Sequence, residues 1–232
     1  MLPEPRAIVF DLDNTLYPFR RYQLSGFAAV ARHLAATHRI NARAFFASLA
    51  RSSRGVNRGR ELQAALHRSG LPITLAPALV DLLKQHEPKL KLASTTRKTL
   101  ATLKADGWRV GVLTNGPRPI QARKIAALGL TRHVDSIVFA TDHGSGMGKP
   151  ESEPFFEVLR RLEVTPSRAV VVGDDEACDV LGGARCGLRT IRCTAWTHDE
   201  IPSAADAVVS RLSSVPMVAT KLIEEGRDRH VA

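Results

Sequence analysis

The chain has 232 residues, 44% of them hydrophobic and 24% charged, with a formal net charge of +10. That size allows one sizeable core and a smaller second lobe, and the balance is that of an ordinary soluble globular protein. The absence of any run of about 18 apolar residues excludes a membrane-spanning helix, and three cysteines without CxxC spacing exclude a disulfide framework or a zinc site.

The start of the chain, MLPEPRAIVFDLDNT, lacks a basic segment followed by an apolar stretch, so no secretory signal is expected. Cys178, Cys186 and Cys193 are therefore expected as reduced, mostly buried thiols in a cytoplasmic protein. The positive charge suits nucleic acid or small anionic substrates. The densest basic stretch, Arg51 to Arg60, has no interleaved aromatics to stack on bases. A solvated helix-and-turn face is favoured there over a nucleic-acid surface.

Along the chain, Ala7 to Phe10 is an apolar run that ends at Asp11, as expected of a strand buried on both faces of a parallel sheet. Residues 18 to 94 carry no strand-like run. Helical stretches stand there instead, at Tyr22 to Thr37, Ala42 to Ala50, Arg60 to Arg68 and Ala76 to Gln85, punctuated by Gly55, Gly59, Gly70 and Pro72. After them, strands at Arg109 to Leu113, Ser136 to Ala140, Ala169 to Val172, Leu188 to Arg192 and Ala207 to Val209 alternate with helical patterns. The helices fall at Thr96 to Ala105, at Pro119 to Leu128 with Ile120, Ile125 and Leu128 in one stripe, and at Pro154 to Leu162. The tail EEGRDRHVA is expected to fray. This alternation predicts an α/β fold, a doubly wound Rossmann-like parallel sheet with an inserted all-helical cap. The core takes residues 1–17 and 95–232, and the cap takes residues 18–94.

Four segments carry chemistry, each at the C-terminal end of a core strand, the edge where such sheets bind ligands. Asp11-Leu12-Asp13-Asn14-Thr15 sets two carboxylates close enough to resist joint ionisation unless a cation balances them. Thr114-Asn115-Gly116 offers a hydroxyl, an amide and a flexible backbone that can donate to a phosphate. Lys149-Pro150 follows a glycine-rich loop, from which the lysine can hold a phosphate and an aspartate together. Asp174 to Asp179, after Gly173, packs four acids into six residues, hard oxygen ligands that suit magnesium far better than zinc. Their convergence on one edge marks an active site.

The order DLDNT, TNG, GKP and GDDEACD resembles the haloacid dehalogenase superfamily in its phosphatase branch, over about residues 6 to 193. The resemblance implies a magnesium-dependent phosphomonoester hydrolase working through an aspartyl-phosphate. Asp11 matches the nucleophile, Asp13 the general acid/base, and Lys149 a group serving both catalysis and phosphate binding. Thr114 and Asn115 match the other phosphate-holding positions. Asp11, Asp13, Asp174 and Asp179 match the acids that hold Mg2+, while Asp175 stands where many relatives carry serine. Asp13 argues against the dehalogenases, whose halide leaving group needs no proton. Two alternatives stay open: a phosphomutase of the same superfamily, and a basic nucleic-acid-associated protein on the same fold. DNTLYP with TNG resembles the nucleotidase and sugar-phosphate phosphatase members, so the expected partner is a small phosphorylated substrate, a nucleoside monophosphate or a sugar phosphate. No membrane partner is expected. Residues 18–94 are expected to act as a mobile lid, with Arg20, Arg21, Tyr22 and the Arg51 to Arg60 stretch as candidate substrate contacts.

Overall fold

The computed structural model describes residues 4–54, 59–197 and 202–228. The chain divides into two compact units, one of Met1–Phe19 with Lys91–Ala232 and one of Arg20–Leu90. The first unit is built on a six-stranded sheet. Its strands are β1 (Arg6–Phe10), β2 (Trp108–Thr114), β3 (Ser136–Phe139), β4 (Ala169–Gly173), β5 (Arg189–Cys193) and β6 (Ala207–Val209). They lie in the order β3-β2-β1-β4-β5-β6, and every pairing is parallel. The expected α/β architecture is the observed one. The continuous apolar runs explain it: Ala7, Ile8, Val9 and Phe10 are all fully buried, as a central strand covered on both faces requires.

The chain winds from β1 outward to β3, then crosses back to β4 on the other side. β1 and β4 therefore flank the point where the strand order reverses, and ligands bind outside the carboxyl ends at such a point. Phe10 pairs with Val112 of β2 and Val172 of β4, so Asp11 emerges level with the ends of both neighbours. The Asp11 N–H still donates to the Val172 carbonyl at 2.9 Å. Strand bounds differ from expectation by a residue, with β4 ending at Gly173 and β5 at Cys193, each one residue later than expected. Thr114 is itself the last residue of β2, and Ala140 leaves the sheet to open a 3-10 turn, Ala140–Asp142.

The Arg20–Leu90 unit carries α1 (Phe19–His38), α2 (Ala42–Ser52), α3 (Glu61–Arg68) and α4 (Ala76–Gln85), and no strand among its described residues. Phe27, Val30, Ala31 and Leu34 recur at helical spacing on α1. They pack with Phe45, Leu49, Leu62, Leu66 and Leu79 into a core of the unit's own. The Asn41 side chain caps α2 by accepting from the Ala44 N–H at 3.0 Å. α1 starts three residues earlier than the apolar pattern indicates, because the Asn14 side chain accepts from the Phe19 N–H at 3.0 Å. Within the Arg51 to Arg60 stretch, residues 55–58 lie outside the described residues.

The sheet is covered by α5 (Ser94–Ala105), α6 (Arg118–Leu128), α7 (Ser152–Leu162) and α9 (Val215–Asp228), with a short α8 (Gly182–Arg185) after β4. α9 corrects the reading of the tail. Val215, Ala219 and Ile223 stand at i, i+4 and i+8, and all are buried, so the helix runs through Glu224 and Glu225 to Asp228. Residues 229–232 of the expected frayed tail lie outside the described residues. α7 packs on β2 and β3, and its fully buried Phe155 shares one core cluster with Val9, Leu113, Val138 and Val171. Phe155→Ala should therefore cost about 3–5 kcal/mol of stability. Urea unfolding checks this, with the midpoint falling and the slope unchanged.

Candidate active site

The carboxyl ends of β1, β2 and β4 surround a cavity of about 340 Å³ whose lining includes Asp11, Asp13, Thr114, Asn115, Lys149 and Asp174. Lys149 enters from the loop between β3 and α7 and lies at the centre. Its ammonium donates to Asp11 Oδ1 at 2.6 Å, to Asp179 Oδ1 at 2.6 Å and to the Leu113 carbonyl at 3.0 Å. The lysine side chain is 2% exposed. A buried ammonium is tolerable only with its charge and all three donors matched, and here they are.

Two glycines make this approach possible. At Gly173, the last residue of β4, a Cβ would lie 2.1 Å from the Asp179 carboxyl carbon, so the acid folds back over bare backbone. At Gly148 the backbone takes φ +78°, and a Cβ would fall 2.6 Å from Asn115 Oδ1. That Asn115 amide holds the loop. Its Nδ2 donates to the Lys149 carbonyl at 2.9 Å, and its Oδ1 accepts from the Lys149 N–H at 2.8 Å. The Asn115 side chain thus clamps Lys149, where the sequence pointed to a phosphate contact.

Asp179 sits in a one-turn π-helix, Glu176–Leu181, a local widening often found at functional sites. Only part of the acidic cluster turns inward. Asp175 caps this turn, accepting from the Cys178 N–H at 2.7 Å. Glu176 accepts from the Ser203 hydroxyl and the Ala204 N–H, both at 2.7 Å. The remaining two, Asp174 and Asp179, join Asp11. These three carboxylates offer ligand oxygens all within 4.8 Å of one another. With all three deprotonated, these carboxylates against the one ammonium of Lys149 leave a net charge of −2. All-oxygen donors with that excess fit a hard divalent cation such as magnesium.

The structure does not bring Asp13 into this group. Its Oδ2 accepts from Lys124 Nζ at 2.6 Å and from Gln121 Nε2 at 3.2 Å, and its Oδ1 accepts from the Tyr17 hydroxyl. Gln121 also donates to Thr114 Oγ1 at 2.5 Å. Sequence reasoning passed over Tyr17, Gln121 and Lys124. The available signal was on α6, whose buried face is Gln121, Lys124, Ile125 and Leu128. Two polar residues thus stand at core positions where an apolar stripe was expected.

Burial pushes the Asp11 carboxyl from 3.8 up to about 8, against the pull of Lys149 and with a further push from Asp179. Burial works against the Lys149 ammonium, but Asp11 and Asp179 outweigh it and raise its pKa. One positive charge is shared by two dry carboxylates, so both directions hold together. Burial, then Asp179, lifts Asp174 to about 6. Burial and Asp175 push the Cys178 thiol up to about 11, which removes it as a thiolate nucleophile. All three cysteines are free, and among the described residues no helix is long and apolar enough to cross a membrane.

Comparison with known proteins agrees with this geometry. Residues 5–187 match the family model for haloacid dehalogenase-like hydrolases. The chain is 30% identical over 215 residues to the ribulose-1,5-bisphosphate 5-phosphatase of Halopiger xanaduensis, covering 86% of this chain and 89% of that one. It is 32% identical over 197 residues to the glyceraldehyde 3-phosphate phosphatase of Methanothermobacter thermautotrophicus, covering 80% and 84%. Among solved structures, the magnesium-bound putative HAD-hydrolase YfnB of Bacillus subtilis shares the fold. Its TM-score is 0.64 at 20% identity, over 93% of this chain and 99% of that one. The chain belongs to the haloacid dehalogenase-like hydrolase family, and its curated relatives place it among the phosphatases.

The raised carboxyls set the sign of a pH effect. Between 3.8 and about 8 the unfolded chain binds fewer protons at Asp11 than the folded one, so the metal-free protein loses stability as pH rises. A divalent cation needs those carboxylates deprotonated, so its affinity rises over the same window. The increase in melting temperature produced by added magnesium should be small at pH 5.5 and grow steadily to pH 8.5. A shift independent of pH would contradict this electrostatic assignment.

Proposed function

We propose that this HAD-type phosphatase hydrolyses the phosphomonoester of a small metabolite of the sugar-phosphate class, with Asp11 as covalent nucleophile and magnesium as cofactor. The observation that carries the reading is the buried Lys149 ammonium joined to both Asp11 and Asp179 beside Asp174. The relatives' names support the substrate class, since both curated phosphatases act on small sugar-derived phosphates.

Asp11, Asp174 and Asp179 would hold the magnesium, which supplies positive charge against the phosphate dianion when bound. Lys149 fixes Asp11 through Oδ1 and leaves Oδ2 as the attacking atom. The Thr114 hydroxyl, at the rim of the same cavity, donates to a phosphoryl oxygen. Asp11 Oδ2 forms a bond to phosphorus as the bond to the leaving oxygen breaks, and Asp13 gives that oxygen a proton. Water then attacks the phosphorus of the aspartyl-phosphate, Asp13 takes its proton, and the Asp11 carboxylate is released with inorganic phosphate. Asn115 serves by holding the Lys149 loop.

Asp11→Asn keeps the shape and removes the nucleophile. Its kcat on p-nitrophenyl phosphate should fall below about one-thousandth of wild type with an unchanged melting profile. Activity within tenfold of wild type would rule out Asp11 as nucleophile. Exhaustive chelation should likewise abolish turnover and magnesium should restore it, with calcium a poor substitute because its shell is larger and looser. In a panel of phosphomonoesters, triose and pentose phosphates should be turned over faster than nucleoside monophosphates.

A further inference from the structure

The core-facing stripe of α6 carries Gln121 and Lys124 at 2% and 3% exposure, positions where leucine or isoleucine would pack. Burying an amide and an ammonium gains nothing for stability over apolar residues of similar volume. Both side chains are instead directed at two groups of the site. Lys124 Nζ lies 2.6 Å from Asp13 Oδ2 and 4.9 Å from the centre of the Phe19 ring. Gln121 Nε2 lies 3.2 Å from Asp13 Oδ2 and 2.5 Å from Thr114 Oγ1. A carboxylate only accepts, so the Gln121 nitrogen must face Asp13, and the Thr114 oxygen therefore accepts from the same nitrogen. The Thr114 proton is then free to donate into the cavity. The Tyr17 hydroxyl closes the second oxygen of Asp13 from the β1 side.

We propose that Lys124 and Gln121 are positioning residues for the reaction, one helix face holding the Asp13 carboxylate and aiming the Thr114 hydroxyl. This rests on the assignment of Asp13 as the group that exchanges the proton with the leaving oxygen. Lys124 acts through Asp13. It fixes where the Asp13 carboxylate stands, so its loss appears wherever the leaving oxygen needs a well-placed proton.

The experiment compares kcat/KM on phenyl phosphate, whose leaving oxygen needs a proton, with p-nitrophenyl phosphate, whose leaving oxygen needs it far less. The proteins are wild type, Lys124→Met, Lys124→Arg and Asp13→Asn. Lys124→Met should fold, because Asp13 is partly exposed and water replaces its lost partner; Lys124→Gln gives a second variant should the melt of the first collapse. The loss for either variant should be at least about tenfold greater on phenyl phosphate than on p-nitrophenyl phosphate. Asp13→Asn should show the same imbalance more strongly, and Lys124→Arg should recover part of the loss. Equal losses on both esters in the Lys124 variants, or none, with the imbalance kept in Asp13→Asn, overturn the positioning role alone. No imbalance in Asp13→Asn overturns the acid/base assignment and the positioning role with it.

Discussion

Everything in the site depends on one buried ammonium shared between two carboxylates. Lys149 holds Asp11 and Asp179 at 2.6 Å each, in a place where its own side chain is almost wholly shielded from water. Neither acid is tolerable there without it, since removing one partner of a buried ion pair leaves an uncompensated charge. The lysine does not balance the site completely, because Asp174 adds a third carboxylate. The residual negative charge fits the divalent cation that the proposed mechanism needs against a dianionic phosphate.

The fold exists in this form to bring these groups together from distant parts of the chain. Asp11 and Lys149 are 138 residues apart in sequence. Parallel pairing of Phe10 with Val112 and Val172 brings Asp11 out at the same edge as Thr114 and Asp174, which each lie one residue further along. Loop chemistry then does the fine placement. Gly173 lets Asp179 fold over the strand end, and the Asn115 amide clamps both backbone polar groups of Lys149. Positioning of this kind, more than any special reactivity of a carboxylate, is what phosphoryl transfer asks of a protein.

The sheet was legible in the sequence because a strand buried on both faces writes itself as an unbroken apolar run, and AIVF, RVGVL and AVVV are such runs. Asp11 was legible because it follows one of those runs directly, and Asp174 and Asp179 because they stand in the acid-rich segment after AVVV. What was hidden depends on tertiary docking. Asp13 reads as a partner of Asp11 in sequence, yet its carboxylate is drawn to Lys124 and Gln121, which only α6 packed on the sheet brings near. The Asn115 amide reads as a donor in sequence, and its bonds to the Lys149 backbone depend on a loop 34 residues away. Asp175 and Glu176 look like any other members of the acidic run in sequence, but Asp175 caps the π-turn at the Cys178 N–H and Glu176 accepts from the Ser203 hydroxyl and the Ala204 N–H. α9 was missed because its buried stripe is thin, with Val215, Ala219 and Ile223 alone buried over residues 215–225. The Arg20–Leu90 unit shows its helices in the sequence but not its ligand, since surface arginines look alike whether or not they meet a substrate.

The central claim is that the phosphoryl group is carried on Asp11 during turnover. Rapid quenching of the working enzyme, followed by borohydride reduction and peptide mass spectrometry, tests it directly, because borohydride converts an acyl phosphate of aspartate to homoserine. The account predicts homoserine at Asp11, appearing only when substrate and magnesium are both present. Turnover with Asp11 unmodified and another residue labelled, or with no residue labelled at all, would contradict it.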